Sequence, residues 1–136
     1  MHILVMDGQG GGLGAQLVKG LKSRLKDIPV WAVGTNSMAT TTMLKAGADK
    51  AATGENAFCH LASQADVLMG PIGLLSANSL MGEISPAMAA AVAAAPGRRI
   101  LLPMSSCGVL VAGTTTLRME ELLRDAVELA AKEVGQ

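Results

Sequence analysis

The sequence predicts an α/β fold: a three-layer Rossmann-like sandwich around a mostly parallel sheet of order 3-2-1-4-5, with an antiparallel strand at one edge. Three observations lead there. Short apolar runs alternate with segments of helical periodicity along the chain. A glycine-rich turn, Gly8-Gln9-Gly10-Gly11-Gly12-Leu13-Gly14, lies between the first run and the first helical segment. The link after Pro103 is too short for a parallel crossover, so a final strand at 109–112 is expected to run antiparallel.

The elements follow in order. Residues 2–6, His2 followed by the apolar run Ile3 to Met6, read as a strand buried on both faces. Over 12–26, Leu13, Leu17, Leu21 and Leu25 recur on one helical stripe. Residues 30–33 form a second strand, closed by Gly34. Thr35, Asn36 and Ser37 offer N-caps for a helix over 38–46, and Gly47 stops it. A short strand at 49–52 precedes a helix capped by Thr53, with Glu55 in its first turn, running to about Gln64. Residues 66–69 are strand four, broken by Gly70-Pro71-Ile72-Gly73. The segment 74–85 carries no clear period. Ser85-Pro86 starts a helix that ends at Pro96-Gly97. Strand five is 100–103. The last helix, 118–134, has an apolar stripe of Met119, Leu122, Leu123, Ala126, Val127, Ala130 and Val134.

The chain has 136 residues, half of them apolar, which suits one domain over 1–136 with a substantial core. Formal net charge is zero and there is no basic block, which argues against a nucleic-acid partner. Trp31 and Phe58 are the only aromatic residues, so base-stacking platforms and flavin sandwiches are not expected. Two cysteines, Cys59 and Cys107, are too few for a disulfide framework and fit a reducing cytoplasm. The first residues are needed as a strand, and no signal peptide is read there. The small-apolar run 87–95 is too short to span a membrane.

The reversal of strand order opens a crevice beyond the C-terminal ends of strands one and four. The glycine turn sits there. Gly8, Gly12 and Gly14 match GxxxGxG, and Gly10, Gly12 and Ala15 match GxGxxA. Both spacings give a tight turn and room for a phosphate against the unpaired amides of a helix N-terminus. The same glycines also suit a turn that only enters the helix. Thr35 and Asn36 offer hydrogen bonds to a ribose or phosphate, and equally offer caps. Gly70, Pro71, Ile72 and Gly73 face the first loop across the crevice, as ligand lining or as a turn leaving the strand. No Lys-Ser/Thr follows the glycines, which excludes a Walker A loop. Strand two ends without the acid that usually holds an adenosine ribose, although NAD or NADP remains a candidate cofactor. Glu83 is the best candidate acid or base, against a solvated or helix-capping role. Cys59 and His60 are adjacent in a helix and point about 100° apart, so no metal site is expected.

The glycine turn, Gly34-Thr35-Asn36 and Gly70-Pro71-Ile72-Gly73 resemble the first half of a short-chain dehydrogenase, over roughly residues 1–73. That family uses a Tyr-x-x-x-Lys pair, and this chain has no tyrosine, so the resemblance implies no dehydrogenase activity. A wider resemblance covers nearly the whole chain. Asp7 to Gly14, Gly34-Thr35-Asn36, Ala39-Thr40, the run 43–48, the run 52–57, Gly70 to Gly73 and Gly82-Glu83-Ile84 are similar to an uncharacterised bacterial family of short Rossmann-like proteins. It is known only as a domain of unknown function. This resemblance implies the fold and supplies no reaction.

Two functions follow as expectations. The first is a cytoplasmic module binding a nucleotide, dinucleotide or phosphorylated metabolite at the glycine loop. The second is an enzyme on a phosphorylated or nucleotide-linked metabolite, its site completed at an oligomer interface. A homodimer is expected, because Leu74, Leu75, Leu80 and Met81 lie in a loop expected at the surface and the helix after Ser85 is apolar nearly all round.

Overall fold

The computed structural model describes residues 1–103 and 108–136. Five strands form one sheet: β1 (Ile3–Asp7), β2 (Val30–Gly34), β3 (Lys50–Thr53), β4 (Val67–Pro71) and β5 (Arg98–Leu102). Their order is β3-β2-β1-β4-β5, and every pairing is parallel. Five helices connect and follow them: α1 (Gly12–Arg24), α2 (Ser37–Lys45), α3 (Glu55–Ala62), α4 (Pro86–Ala93) and α5 (Met119–Glu133). A short 3-10 turn, Ile72–Leu75, continues directly from β4.

Strand periodicity divides the core into two. Ile3 and Val5 point to one face of β1 and pack with Leu17, Leu21, Met43 and Ala130 from α1, α2 and α5. Leu4 and Met6 point to the other and pack with Phe58, Leu74, Ile84 and Val92 around α3 and α4. A central strand covered on both faces has to be apolar at every position, which is why 2–6 shows no alternation. β1 lies between β2 and β4, so the sheet reverses direction of growth at its C-terminal end. The glycine loop, Thr35-Asn36 and the end of β4 all project there.

Four expectations are corrected. Among the described residues there is no antiparallel edge strand. Residues 109–112 are irregular and bracketed by left-handed Gly108 and Gly113, and Thr114 turns back to bond the Val111 carbonyl at 3.2 Å. Val111 instead joins Ile100, Leu102, Leu117 and Leu122 around an apolar cleft of about 270 Å³ between β5 and α5. An apolar run of this length can cover a cleft as readily as pair with an edge. Part of the link before it, 104–107, lies outside the described residues, and Cys107 with it. Thr53 does not cap α3: the N-cap is Gly54, and the Thr53 hydroxyl donates to Thr40 Oγ1 at 2.7 Å. The apolar loop expected at the surface over 74–81 is so only in part: Leu74 is fully buried and Leu80 half-buried, whereas Leu75 and Met81 are exposed. Helix α4 buries Met88, Ala89 and Val92 on one face and exposes mainly alanine on the other, so the chain covers its larger side chains itself.

Candidate functional site

The glycine loop leaves β1 at Asp7. This aspartate is 5% exposed, the one buried charged side chain among the described residues. Its two oxygens are both occupied: Oδ1 accepts from the Gly8 amide at 2.8 Å and Oδ2 from the Gly14 amide at 2.7 Å. One carboxylate therefore closes the loop from the inside and caps the first turn of α1. Burial pushes the Asp7 carboxyl above its ordinary range. The amides of Gly14 and Gly8 pull it back only in part, and the nearby Glu83 charge adds to the rise.

The glycines divide into two groups. Gly11 and Gly14 are required by packing inside the protein, and Gly8 lies against three neighbouring side chains. A Cβ at position 8 would stand 2.8 Å from Glu83 Oε1 and Thr35 Oγ1. Gly11 is left-handed, and a Cβ there would meet the Ala39 backbone at 2.7 Å. At Gly14 it would meet Met43 Sδ at 2.5 Å. Gly10 and Gly12 differ: both are exposed, and a Cβ at either would meet nothing within 4 Å among the described residues. The amides of Gly10, Gly12 and half-buried Leu13 make no hydrogen bond among those residues. The outer side of the loop therefore presents unpaired donors with no packing need for glycine.

Thr35 and Asn36 follow β2. The Thr35 amide extends the sheet by donating to the Asp7 carbonyl at 3.1 Å. Asn36 does both things its position allows. Its Oδ1 caps α2 by accepting from the Ala39 amide at 2.9 Å, and its Nδ2 donates to the Gln9 carbonyl at 3.0 Å. Gln9 itself is left-handed, with φ 50°.

Glu83 completes the arrangement. It comes from the loop between the 3-10 turn and α4, and its Oε1 accepts from the Gln9 amide at 2.7 Å and from Asn36 Nδ2 at 3.1 Å. The Thr35 hydroxyl donates to the same oxygen. Burial raises the Glu83 carboxyl, but the Gln9, Thr35 and Asn36 donors outweigh it and hold the group below its ordinary value. Glu83 does not cap α4; Ser85 does, accepting from the Met88 amide at 3.2 Å.

The structure thus brings Gly8, Gln9, Thr35 and Asn36 together around Glu83, with Gly10, Gly12 and Leu13 alongside. Gly70 to Gly73, at the end of β4, makes contacts of its own. Gly70 lets β4 lie against the Met6 carbonyl and Leu74. Pro71 ends the strand, Ile72 lines the β5–α5 cleft, and the Gly73 carbonyl accepts from Ser76 and Ser79 to shape the following loop. The bracing by Asp7 and the role of Leu80 beside Gly8 were not read from the sequence. An aspartate ending a buried strand just ahead of a glycine turn is the signal for the first; Leu80 has none.

A larger depression, about 670 Å³, lies at the opposite end of the sheet between Ser63–Asp66 and Pro96–Arg99. It is open, and its two arginines are exposed. It lacks the convergent donors found at the glycine loop, and those donors, rather than any enclosed volume, make the loop the stronger candidate.

Among solved structures, the chain resembles a dodecameric FMN-dependent UbiX-like decarboxylase from Escherichia coli O157:H7. The match covers 98% of this chain and 95% of the other, with a TM-score of 0.52 and 16% sequence identity, a likeness of fold. No curated protein matches the sequence. Among the described residues no helix is long and apolar enough to cross a membrane. A family model described as "Domain of unknown function (DUF3842)" matches residues 2–135, and the chain belongs to that family.

Proposed function

We propose that this protein binds a phosphorylated small molecule of the nucleotide class, with its phosphate on the outer amides of the glycine loop. The observation that carries the reading is Glu83: the loop's head already holds an anion, through one backbone amide and two side-chain donors. Beside it, the unpaired amides of Gly10, Gly12 and Leu13 open outward at the positive end of α1. Asp7 has both oxygens committed to backbone amides, so it serves the loop's shape rather than proton transfer.

The fold neighbour is named as FMN-dependent, which makes FMN the first ligand to test. NAD and NADP remain candidates on the loop spacing alone. Thermal denaturation in the presence of FMN, riboflavin, AMP, adenosine, NAD and NADP tests the reading, since a ligand of the native state raises the midpoint. A phosphorylated member should stabilise where its unphosphorylated partner does not. No shift with any phosphorylated member would contradict the proposal. We also propose a homo-oligomer, supported by Met81, which is 94% exposed, and by the alanine face of α4. Sedimentation at micromolar concentration should give more than a monomer.

A further inference from the structure

We propose that Gln9, Thr35 and Asn36 form a cradle for one oxygen of an anionic ligand group, phosphoryl or carboxylate, and that Glu83 is its built-in competitor, displaced when such a group enters. The inference rests on the reading above that the glycine loop takes a phosphorylated ligand.

Three donors from two separate loops converge on a single atom. The Gln9 amide reaches Glu83 Oε1 at 2.7 Å, Asn36 Nδ2 reaches it at 3.1 Å, and the Thr35 hydroxyl donates to it as well. A carboxylate used as a plain anchor spreads its donors over both oxygens, as Asp7 does with Gly8 and Gly14. Glu83 loads one oxygen and leaves Oε2 without a hydrogen bond among the described residues. Charge-assisted donors aimed at one point suit any oxyanion placed there. The missing side chain at Gly8 keeps that point free, since a Cβ would reach within 2.8 Å of the bound oxygen.

The loop that delivers Glu83 is closed on itself by backbone hydrogen bonds. The Asn78 amide donates to the Ile84 carbonyl at 2.6 Å and the Gly82 amide to the Asn78 carbonyl at 3.1 Å, so its shape does not depend on the Glu83 side chain. Asn78, Leu80 and Met81 have φ of 69°, 55° and 56°. Asparagine adopts the left-handed region more readily than leucine or methionine, so Leu80 and Met81 hold it at a cost in backbone strain. Its ends are fixed: Leu74 and Ile84 are fully buried, and Ser79 is tied to the Gly73 carbonyl. Met81, near its tip, is almost entirely exposed. Losing the Glu83 side-chain contact would leave the core on either side packed, so an incoming anion has only that contact to displace.

Inorganic phosphate, followed by amide NMR on the whole protein, tests the inference with wild type, Glu83→Gln and Glu83→Ala. Glu83→Gln keeps the side chain's shape and removes its charge. Both variants should bind phosphate about tenfold more tightly or better, a difference of about 1.4 kcal/mol, and the Gln9 amide should move on binding. In the wild type, phosphate should also shift the amides of 78–84 as the Glu83 side chain is displaced. Equal affinity in all three proteins, with shifts confined to Gly10, Gly12 and Leu13, would overturn the competition and leave the binding reading intact. Weaker binding in the variants would make Glu83 part of the ligand's own site and also overturn it. Phosphate that shifts no loop amide in any of the three would overturn both readings. A well-dispersed spectrum in Glu83→Gln establishes that the comparison is made on folded protein.

Discussion

Glu83 Oε1 accepts a hydrogen bond from the Gln9 amide at 2.7 Å, joining two loops that lie 74 residues apart in sequence. The contact ties the first βα turn to the loop preceding α4, across the point where the strand order reverses. Everything at the candidate site is arranged about this bond. Asp7 shapes the loop from beneath, Thr35 and Asn36 support Glu83 from β2, and Gly8 leaves the space.

Gly8 and Gly12 should respond oppositely to alanine. Gly8→Ala forces a Cβ into Glu83, Thr35 and Leu80 and should destabilise by about 1–3 kcal/mol. Gly12→Ala meets open space at the first position of α1 and should be neutral or stabilising by up to about 1 kcal/mol. Urea denaturation of the two variants checks this; equal losses would contradict the division of the glycines.

Removing the Asp7 carboxylate should be costly. Asp7→Ala leaves the buried Gly8 and Gly14 amides without their acceptor, a loss of about 2–5 kcal/mol for two donors. Asp7→Asn keeps one acceptor oxygen and should lose less. Chemical denaturation that finds Asp7→Ala within about 0.5 kcal/mol of wild type would show that the loop does not depend on it.

Acid should act on the two carboxylates with opposite signs. Glu83 titrates below its ordinary value when folded, so its stabilisation is full above that value and is lost as pH falls through the folded one. Asp7 titrates above its ordinary value, so folding is favoured when it is protonated, and that advantage fades as pH rises through its folded value. Between about pH 3 and 6, the stability of wild type relative to Glu83→Gln should shrink on acidification. Relative to Asp7→Asn it should grow. Slopes of the same sign would refute the assignment.

Asn36 should show two separable roles. Asn36→Ala removes the α2 cap and the ties to Gln9 and Glu83, at a cost of about 1–2 kcal/mol. Asn36→Asp restores a capping oxygen but sets a like charge beside Glu83. It should recover most of the stability and yet speed amide exchange at 78–84. Protection there equal to wild type would mean that Asn36 does not hold the loop.

Much of the fold was legible because its signals are local. The unbroken apolar run ending at Met6, the Ser85-Pro86 start and the leucine stripe of α1 each belong to one element, and the parallel order 3-2-1-4-5 follows from their alternation. The run at 109–112 misled because an apolar tetrapeptide beside an edge strand need not pair with it; here Val111 alone lines the β5–α5 cleft, and Val109 and Leu110 are exposed. The site was legible by half. Glycine spacing marks the turn, and Asn36 reads as a cap from its place before α2. What glycine spacing does not carry is which glycines face neighbours: Gly8 depends on Leu80 and Glu83, both far away in sequence. The burial of Leu74 and Ile84 likewise depends on α3 and α4 closing over β4.

The central claim is that the outer glycine loop holds a phosphate. An amide NMR titration of the wild-type protein with inorganic phosphate tests it most directly, because phosphate is the part shared by every ligand considered. The account predicts saturable shifts at Gly10, Gly12 and Leu13. Shifts confined to Ser63–Asp66 and Pro96–Arg99, at the opposite end of the sheet, would contradict it.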